Sequence, residues 1–198
     1  MAWTGRRPLF RCPCCTEDPV GPGRRQVIRA ALGLGAAASL GPSAFAQAVT
    51  GGAPRSLSIM RVQTGERFDG VYWRDGRHDR EALAKLDWLF RDPSMDEATP
   101  MDPRLFDILH AVAQRLDATE PFSVISGYRA PETNAARARQ SRRVSRVSFH
   151  MSGMAADCRL PGRDSMGMAR LAAEMQAGVG LYRRDGFVHL DCGPARRW

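Results

Sequence analysis

Apolar and polar positions alternate along this chain with two distinct periods. Leu57 to Val62 and Arg67 to Trp73 are β-prone runs around Thr64-Gly65, which predicts a hairpin. Leu83, Leu86, Leu89 and Phe90 then fall at helical spacing within Arg80 to Phe90. Asp92-Pro93 and Pro100 punctuate a loop. Asp102-Pro103 opens a second helix, with a capping carboxylate and a proline in the first turn. Leu105, Ile108, Leu109, Val112 and Leu116 place its apolar stripe over about 103 to 117. Phe122 to Ser126 reads as a buried strand ending at Gly127-Tyr128-Arg129, and Pro131 to about Gln140 as a helix. Ser141 to Phe149 is expected to be an exposed loop. Ala155 to Leu160 is strand-like, Ser165 to Ala177 helical, and Gly178 to Tyr182 and Phe187 to Asp191 are two short strands. The mixture predicts an α+β domain in which helices pack against a small antiparallel sheet.

The first 46 residues break this pattern. A basic region containing Arg24-Arg25 precedes the mildly apolar, Ala- and Gly-rich Ala30 to Leu40, and Ala44-Phe45-Ala46 follows as a small-residue cleavage site. This is the order of a secretory signal, and the paired arginines fit the twin-arginine route. The expected organisation is a signal over 1–46, a linker over 47–56 and one domain over 57–198, with a periplasmic destination. With 198 residues and 43% hydrophobic content the chain has enough apolar material for a core, which excludes intrinsic disorder.

The formal charge of +8 would point to nucleic acid or membrane. Removing residues 1–46 takes away six arginines and two acids, leaving 23 basic against 19 acidic groups, or +4. The nucleic-acid reading largely collapses with that. No other apolar run approaches the length of a membrane span. Cys12, Cys14 and Cys15 lie in the signal, so only Cys158 and Cys192 remain in the mature chain.

Candidate chemistry rests on the histidines. His150 sits in Ser148-Phe149-His150-Met151-Ser152-Gly153 with Asp157 seven residues on, and His189 sits in Phe187-Val188-His189-Leu190-Asp191. Two imidazoles and a carboxylate suit Zn2+ and leave a fourth position for water. Gly153 allows the chain to turn and return Asp157 towards His150. Strand parity puts His189 and Asp191 on one face. The same residues also fit a metal-free polar network in the core. His78 and His110 receive no role.

Ser126-Gly127-Tyr128-Arg129, Asn134, Ser148-x-His150-x-x-Gly153-x-Ala155-x-Asp157, Gly178-Val179-Gly180-x-Tyr182 and Phe187-Val188-His189-x-Asp191-x-Gly193 together resemble the murein endopeptidase K family. That family belongs with zinc peptidases that include D-Ala-D-Ala carboxypeptidases and dipeptidases. The similarity runs from the Leu57 strand to Gly193-Pro194-Ala195-Arg196-x-Trp198. It implies His150, Asp157 and His189 as Zn2+ ligands and hydrolysis of peptide cross-links in peptidoglycan by metal-activated water. Arg129, after a core strand, is expected to hold a developing oxyanion or a substrate carboxylate. Ser126, Tyr128, Asn134 and Ser148 are expected to shape the substrate site.

The residues just before His189 are Gly186, Phe187 and Val188, none of which accepts a proton. Asp191 is therefore the expected general base, with Asp185 second and a role orienting His189 as the alternative for Asp191. Cys158 and Cys192 each follow a motif acid, which suggests a disulfide behind the metal, with free thiols as the alternative. Arg137, Arg139, Arg142, Arg143 and Arg146 are expected to rim the groove and attract stem-peptide carboxylates. The expectation is a periplasmic zinc endopeptidase acting on peptidoglycan stem peptides. A D-alanyl-D-alanine carboxypeptidase and a non-catalytic, zinc-stabilised wall-binding module remain as alternatives.

Overall fold

A computed structural model describes residues 52–142 and 144–198. The expected signal over 1–46, the linker up to residue 51 and Arg143 lie outside the described residues. β1 (Arg55–Arg61) begins within the stretch expected as linker and pairs antiparallel with β2 (Arg67–Arg74), which gives the expected hairpin. β3 (Arg77–His78) extends it. Then come α1 (Arg80–Leu89), α2 (Pro103–Arg115), β4 (Phe122–Ser126), α3 (Pro131–Gln140) and β5 (Ala155–Arg159). α4 (Ser165–Glu174), β6 (Gly178–Tyr182), β7 (Phe187–Asp191) and β8 (Arg196–Arg197) complete the order.

The strands form one eight-stranded sheet in the order β3-β2-β1-β4-β5-β7-β6-β8. The expected small antiparallel sheet is corrected on both counts. β1 and β4 run parallel because α1 and α2 lie between them in the chain and form the crossover that a parallel pair requires. β8 runs parallel to β6 because the chain leaves β7 and returns on the far side of β6. β3 and β8 have two residues each, too short to show a period.

Both large helices start as their sequences dictate. The Asp79 carboxylate accepts from the Glu81 and Ala82 amides, and Asp102 accepts from Arg104 N–H with Pro103 in the first turn. α1, α2 and α4 bury Leu86, Phe106, Leu109, Val112 and Met168 against one face of the sheet. That face carries Ile59, Phe122, Val124, Ala156, Cys158, Val188 and Leu190. Since side chains alternate along a strand, Asp157, His189 and Asp191 point to the opposite face. Polar chemistry and core are thereby separated by parity alone.

One irregularity adjusts this scheme. Between Val124 and Ser126 the β4–β5 register shifts, so Val124 stands opposite Cys158 while Ser126 stands opposite Asp157. The extra residue, Ile125, moves the end of β4 from the core face to the face with Asp157. No helix among the described residues is long and apolar enough to cross a membrane.

Phe106 is fully buried where α2 meets the sheet, edge-on to Phe90 at 5.5 Å and to Tyr72 at 6.1 Å. Phe106→Ala is expected to cost about 3–5 kcal/mol through lost burial and a residual cavity. A urea titration measures it, and a loss under about 1 kcal/mol would contradict this placement of the core.

Candidate metal centre

Antiparallel pairing of β5 with β7 sets Asp157 directly opposite His189. His150 arrives from a single 3-10 turn, Phe149–Ser152. The Ser148 hydroxyl caps that turn by accepting from His150 N–H at 3.4 Å. Gly153 ends it at φ 66°, where an added Cβ would lie 2.5 Å from the Pro100 carbonyl oxygen. The left-handed conformation and the close backbone both require glycine there.

Three ligand atoms converge as a result. His150 Nε2 lies 3.1 Å from His189 Nδ1 and 3.3 Å from Asp157 Oδ1. His189 Nδ1 lies 2.9 Å from the same Asp157 oxygen. A tetrahedral ion with bonds of about 2.0–2.1 Å spaces its ligands roughly 3.3 Å apart, so the tripod has the dimensions of one face of such a site.

The outer edge of each ring fits the same use. His150 Nδ1 is 2.7 Å from the Gly127 carbonyl, so its proton sits there and Nε2 keeps its lone pair for the centre. His189 Nε2 is 3.0 Å from Asp191 Oδ2, so Nδ1 is the free donor. Ligand histidines are commonly oriented in this way by a carbonyl or carboxylate. Gly127 is needed for the approach, since a Cβ there would collide with the Phe90 backbone and ring.

Electrostatics follow burial and partners. Burial pushes the His150 pKa below the ordinary imidazole value, despite the opposing charge of Asp157. Burial opposes charge at His189 as well, but hydrogen bonds to Asp157 and Asp191 outweigh it and raise its pKa. Burial also opposes the Asp157 charge, yet the two histidines hold its carboxyl well below the usual carboxylate range. In the metal-free protein His189 is thus the ring that more readily takes up an extra proton, and a cation at Nδ1 competes with that proton.

The tripod opens into a cleft of ≈ 710 Å3. Arg129 lines it, buried, with Nη2 3.6 Å from Asp157 Oδ2. Its guanidinium donates to Asn134 Oδ1 and Ser126 Oγ, and its buried Nε has no hydrogen-bond partner. Burial lowers the Arg129 pKa, and the nearby charge of Arg137 adds to that effect.

Of the residues expected to shape a substrate site, Ser148 lines the cleft, while Ser126 and Asn134 hold Arg129 from beneath. Tyr128 turns elsewhere, and its hydroxyl donates to Glu97 at 2.8 Å. Arg137 lines the cleft, whereas Arg139, Arg142 and Arg146 are exposed on the adjoining surface. His110 Nδ1 meets the Ser56 carbonyl and His78 stacks on Tyr72, both away from the tripod.

The geometry bears on the expected base at Asp191 or Asp185. Asp191 is fully buried on the Nε2 edge of His189, and its oxygens are occupied by His189, the Gly193 amide and Arg196. That placement matches the alternative expected for Asp191, a group that orients His189. Asp185 lies on the exposed β6–β7 turn. Among the described residues, Asp157 is the only carboxylate lining the cleft.

Cys158 and Cys192 are both free thiols. Cys158 pairs with Val188, and Cys192 lies four positions further along the β7 direction, beside Met154. At about 3.3 Å per residue the separation is roughly 13 Å, beyond the reach of a disulfide. Adjacency to motif acids misled here because Asp157 faces His189, not Asp191.

Sequence patterning assigns no role to Tyr182, Phe187 or Trp198, whose aromatic rings also line the cleft. The Tyr182 and Phe187 rings stack at 4.5 Å, and the Trp198 ring lies 5.2 Å from His189. The glycine pattern of β6 was the available signal, because a Cβ at Gly180 would come within 2.7 Å of the Trp198 indole.

A family model described as peptidoglycan L,D-endopeptidase MepK, Peptidase_M15_2, matches residues 49–198. The peptidoglycan L,D-endopeptidase MepK of Escherichia coli K12 is 36% identical over 176 residues, covering 88% of this chain and 96% of its own length. The probable peptidoglycan L,D-endopeptidase MepK of Haemophilus influenzae is 34% identical over 168 residues, 84% of this chain and 90% of its own. No solved structure matches significantly.

Two outcomes are expected from metal titrations. His150→Ala and His189→Ala each lose high-affinity binding of one divalent ion, read by chelator competition. In the unsubstituted protein, affinity falls with acidification, and proton competition starts above the ordinary imidazole value because the His189 pKa is raised. Affinity independent of pH between 5 and 8 would contradict ligation by His189.

Proposed function

This chain belongs to the Peptidase_M15_2 family, peptidoglycan L,D-endopeptidase MepK, and on that footing we propose that it is an exported, Zn2+-dependent endopeptidase hydrolysing peptide cross-links of peptidoglycan. The observation that carries this reading is the tripod of His150 Nε2, Asp157 Oδ1 and His189 Nδ1, two neutral-capable nitrogens and one anionic oxygen at tetrahedral spacing. A donor set of this type suits Zn2+, which when bound supplies Lewis acidity towards a carbonyl and activates water at neutral pH.

The chain's own residues do the rest. Gly127 and Asp191 fix the tautomers of the neutral rings, so that both lone pairs face the centre of the tripod. Arg129 offers a guanidinium at the rim of the tripod, held by Asn134 and Ser126 and 3.6 Å from the Asp157 carboxylate. It is suited to a developing oxyanion or to the carboxylate beside the scissile bond. Ser126 and Asn134 keep it in that orientation, and Tyr128 anchors its loop through Glu97. Arg137 extends the cationic side of the cleft, while Tyr182, Phe187 and Trp198 offer apolar faces to the other side of a peptide. The relatives' name supports a bond joining an L to a D centre, as between two diaminopimelates, as the bond cut. Export, by the twin-arginine route, follows from Arg24-Arg25 and the small-residue site at Ala44-Phe45-Ala46.

A second reading is kept by one observation: among the described residues no side-chain carboxylate besides Asp157 lines the cleft to serve as a base, as expected of a non-catalytic, metal-stabilised wall-binding module. Incubation with purified cross-linked muropeptide dimers separates the readings. Conversion of dimer to monomer, abolished by chelator and restored by Zn2+, is expected. Release of terminal D-alanine alone would indicate a carboxypeptidase, and binding without products a module. Arg129→Ala is expected to lower kcat/KM by about 100-fold, on the order of 2.7 kcal/mol, with metal content unchanged. Full activity in that variant would remove Arg129 from the reaction.

A further inference from the structure

We propose that Arg196 is a positioning residue for the metal centre, acting through Asp191 on His189, so that the segment 194–198 sets how tightly the tripod holds its ion. The proposal rests on the metal-dependent reading above, and it concerns a side chain that reading does not use.

Arg196 grips Asp191 with both terminal nitrogens. Nη2 lies 2.7 Å from Oδ2, and Nη1 lies 3.2 Å from Oδ1. Oδ2 also faces His189 Nε2 at 3.0 Å, and Oδ1 accepts from Gly193 N–H at 2.9 Å. Asp191 is therefore a fully buried carboxylate whose orientation is fixed from three sides, and His189 takes its own orientation from it. A planar, two-pronged guanidinium fixes a carboxylate plane in a way that a single ammonium cannot.

Two aromatic rings flank Arg196, whose side chain is otherwise partly exposed. Its guanidinium carbon lies 4.8 Å from the Phe149 ring centre and 4.9 Å from that of Trp198. Phe149 precedes His150 on the 3-10 turn, so one cation touches the elements carrying both ligand imidazoles. Trp198 is tied to β6 by its amide to the Val179 carbonyl at 3.1 Å and by the Leu181 amide to its own carbonyl at 3.0 Å. β6 accommodates the arrangement with glycines, because a Cβ at Gly178 would occupy the place of the Asp191 carboxylate. The path runs by hydrogen bonds from Arg196 through Asp191 to His189 Nε2, and through the imidazole ring itself to Nδ1 of the tripod.

A purely structural role predicts something different. If Arg196 only pinned the segment to the sheet, its loss would lower stability and leave the affinity of the folded protein for Zn2+ unchanged.

The test uses the full domain with Zn2+ and a competing chelator. Arg196→Gln is expected to bind Zn2+ about 10–100-fold more weakly. Arg196→Lys, which keeps the charge without the fork, is expected to recover only part of that. Asp191→Asn should weaken binding comparably, and the double variant Asp191→Asn/Arg196→Gln should be no weaker than Asp191→Asn alone. In the Zn2+-loaded protein the His189 Nε2–H proton resonance should shift in Arg196→Gln. Unchanged affinity with an unmoved resonance would overturn the proposal, as would additive losses in the double variant. If Arg196→Gln fails to fold, wild-type affinity in Arg196→Lys overturns it. A wild-type protein that takes up no Zn2+ would overturn the metal reading and this inference with it.

Discussion

The pairing of β5 with β7 is the constraint on which the site depends. Each strand alternates between a face buried under helices and a face that bears ligands. Ala156, Cys158, Val188 and Leu190 drive one face into the core, and that burial fixes the register. Asp157 and His189 are then opposite one another without any preference of their own. A slip of β7 by one residue would turn His189 and Asp191 into the core and Val188 and Leu190 out of it. The hydrophobic effect thus aligns the ligands, and the tripod does not have to hold the sheet together.

The polar cluster survives burial because almost every donor and acceptor in it has a partner. His150 is satisfied by Gly127, His189 by Asp191, and Asp191 by Gly193 and Arg196. The buried Arg129 Nε stands apart, without a hydrogen-bond partner. The Nη2 atom of the same guanidinium lies 3.6 Å from Asp157 Oδ2.

Much of the fold was legible in the sequence because it is local. The apolar stripe of α2 and its Asp102-Pro103 start, the β1–β2 hairpin and the runs of β4 and β7 all announce themselves within about a dozen residues. His150, Asp157 and His189 were legible as a set through residue type and resemblance. What stayed hidden is non-local. The parallel placement of β4 beside β1 depends on the path of two helices, and β8 is too short to have a period. The supposed Cys158–Cys192 bridge failed for the same reason, since which residue faces Asp157 is set by register. Asp191 had the right parity, but parity does not say which nitrogen of His189 it would meet.

The extra residue in β4 carries a consequence for how this domain can vary. Phe122 and Val124 point into the core, and the insertion of Ile125 rephases the strand so that Ser126, and the loop bearing Arg129 after it, serve the other side. Chain length at this point is itself a chemical specification. Substitutions can be absorbed here one side chain at a time, whereas a one-residue deletion would swap inside for outside and carry the guanidinium away with it. Among homologous domains, lineages that keep the reaction should differ here in spelling but not in letter count.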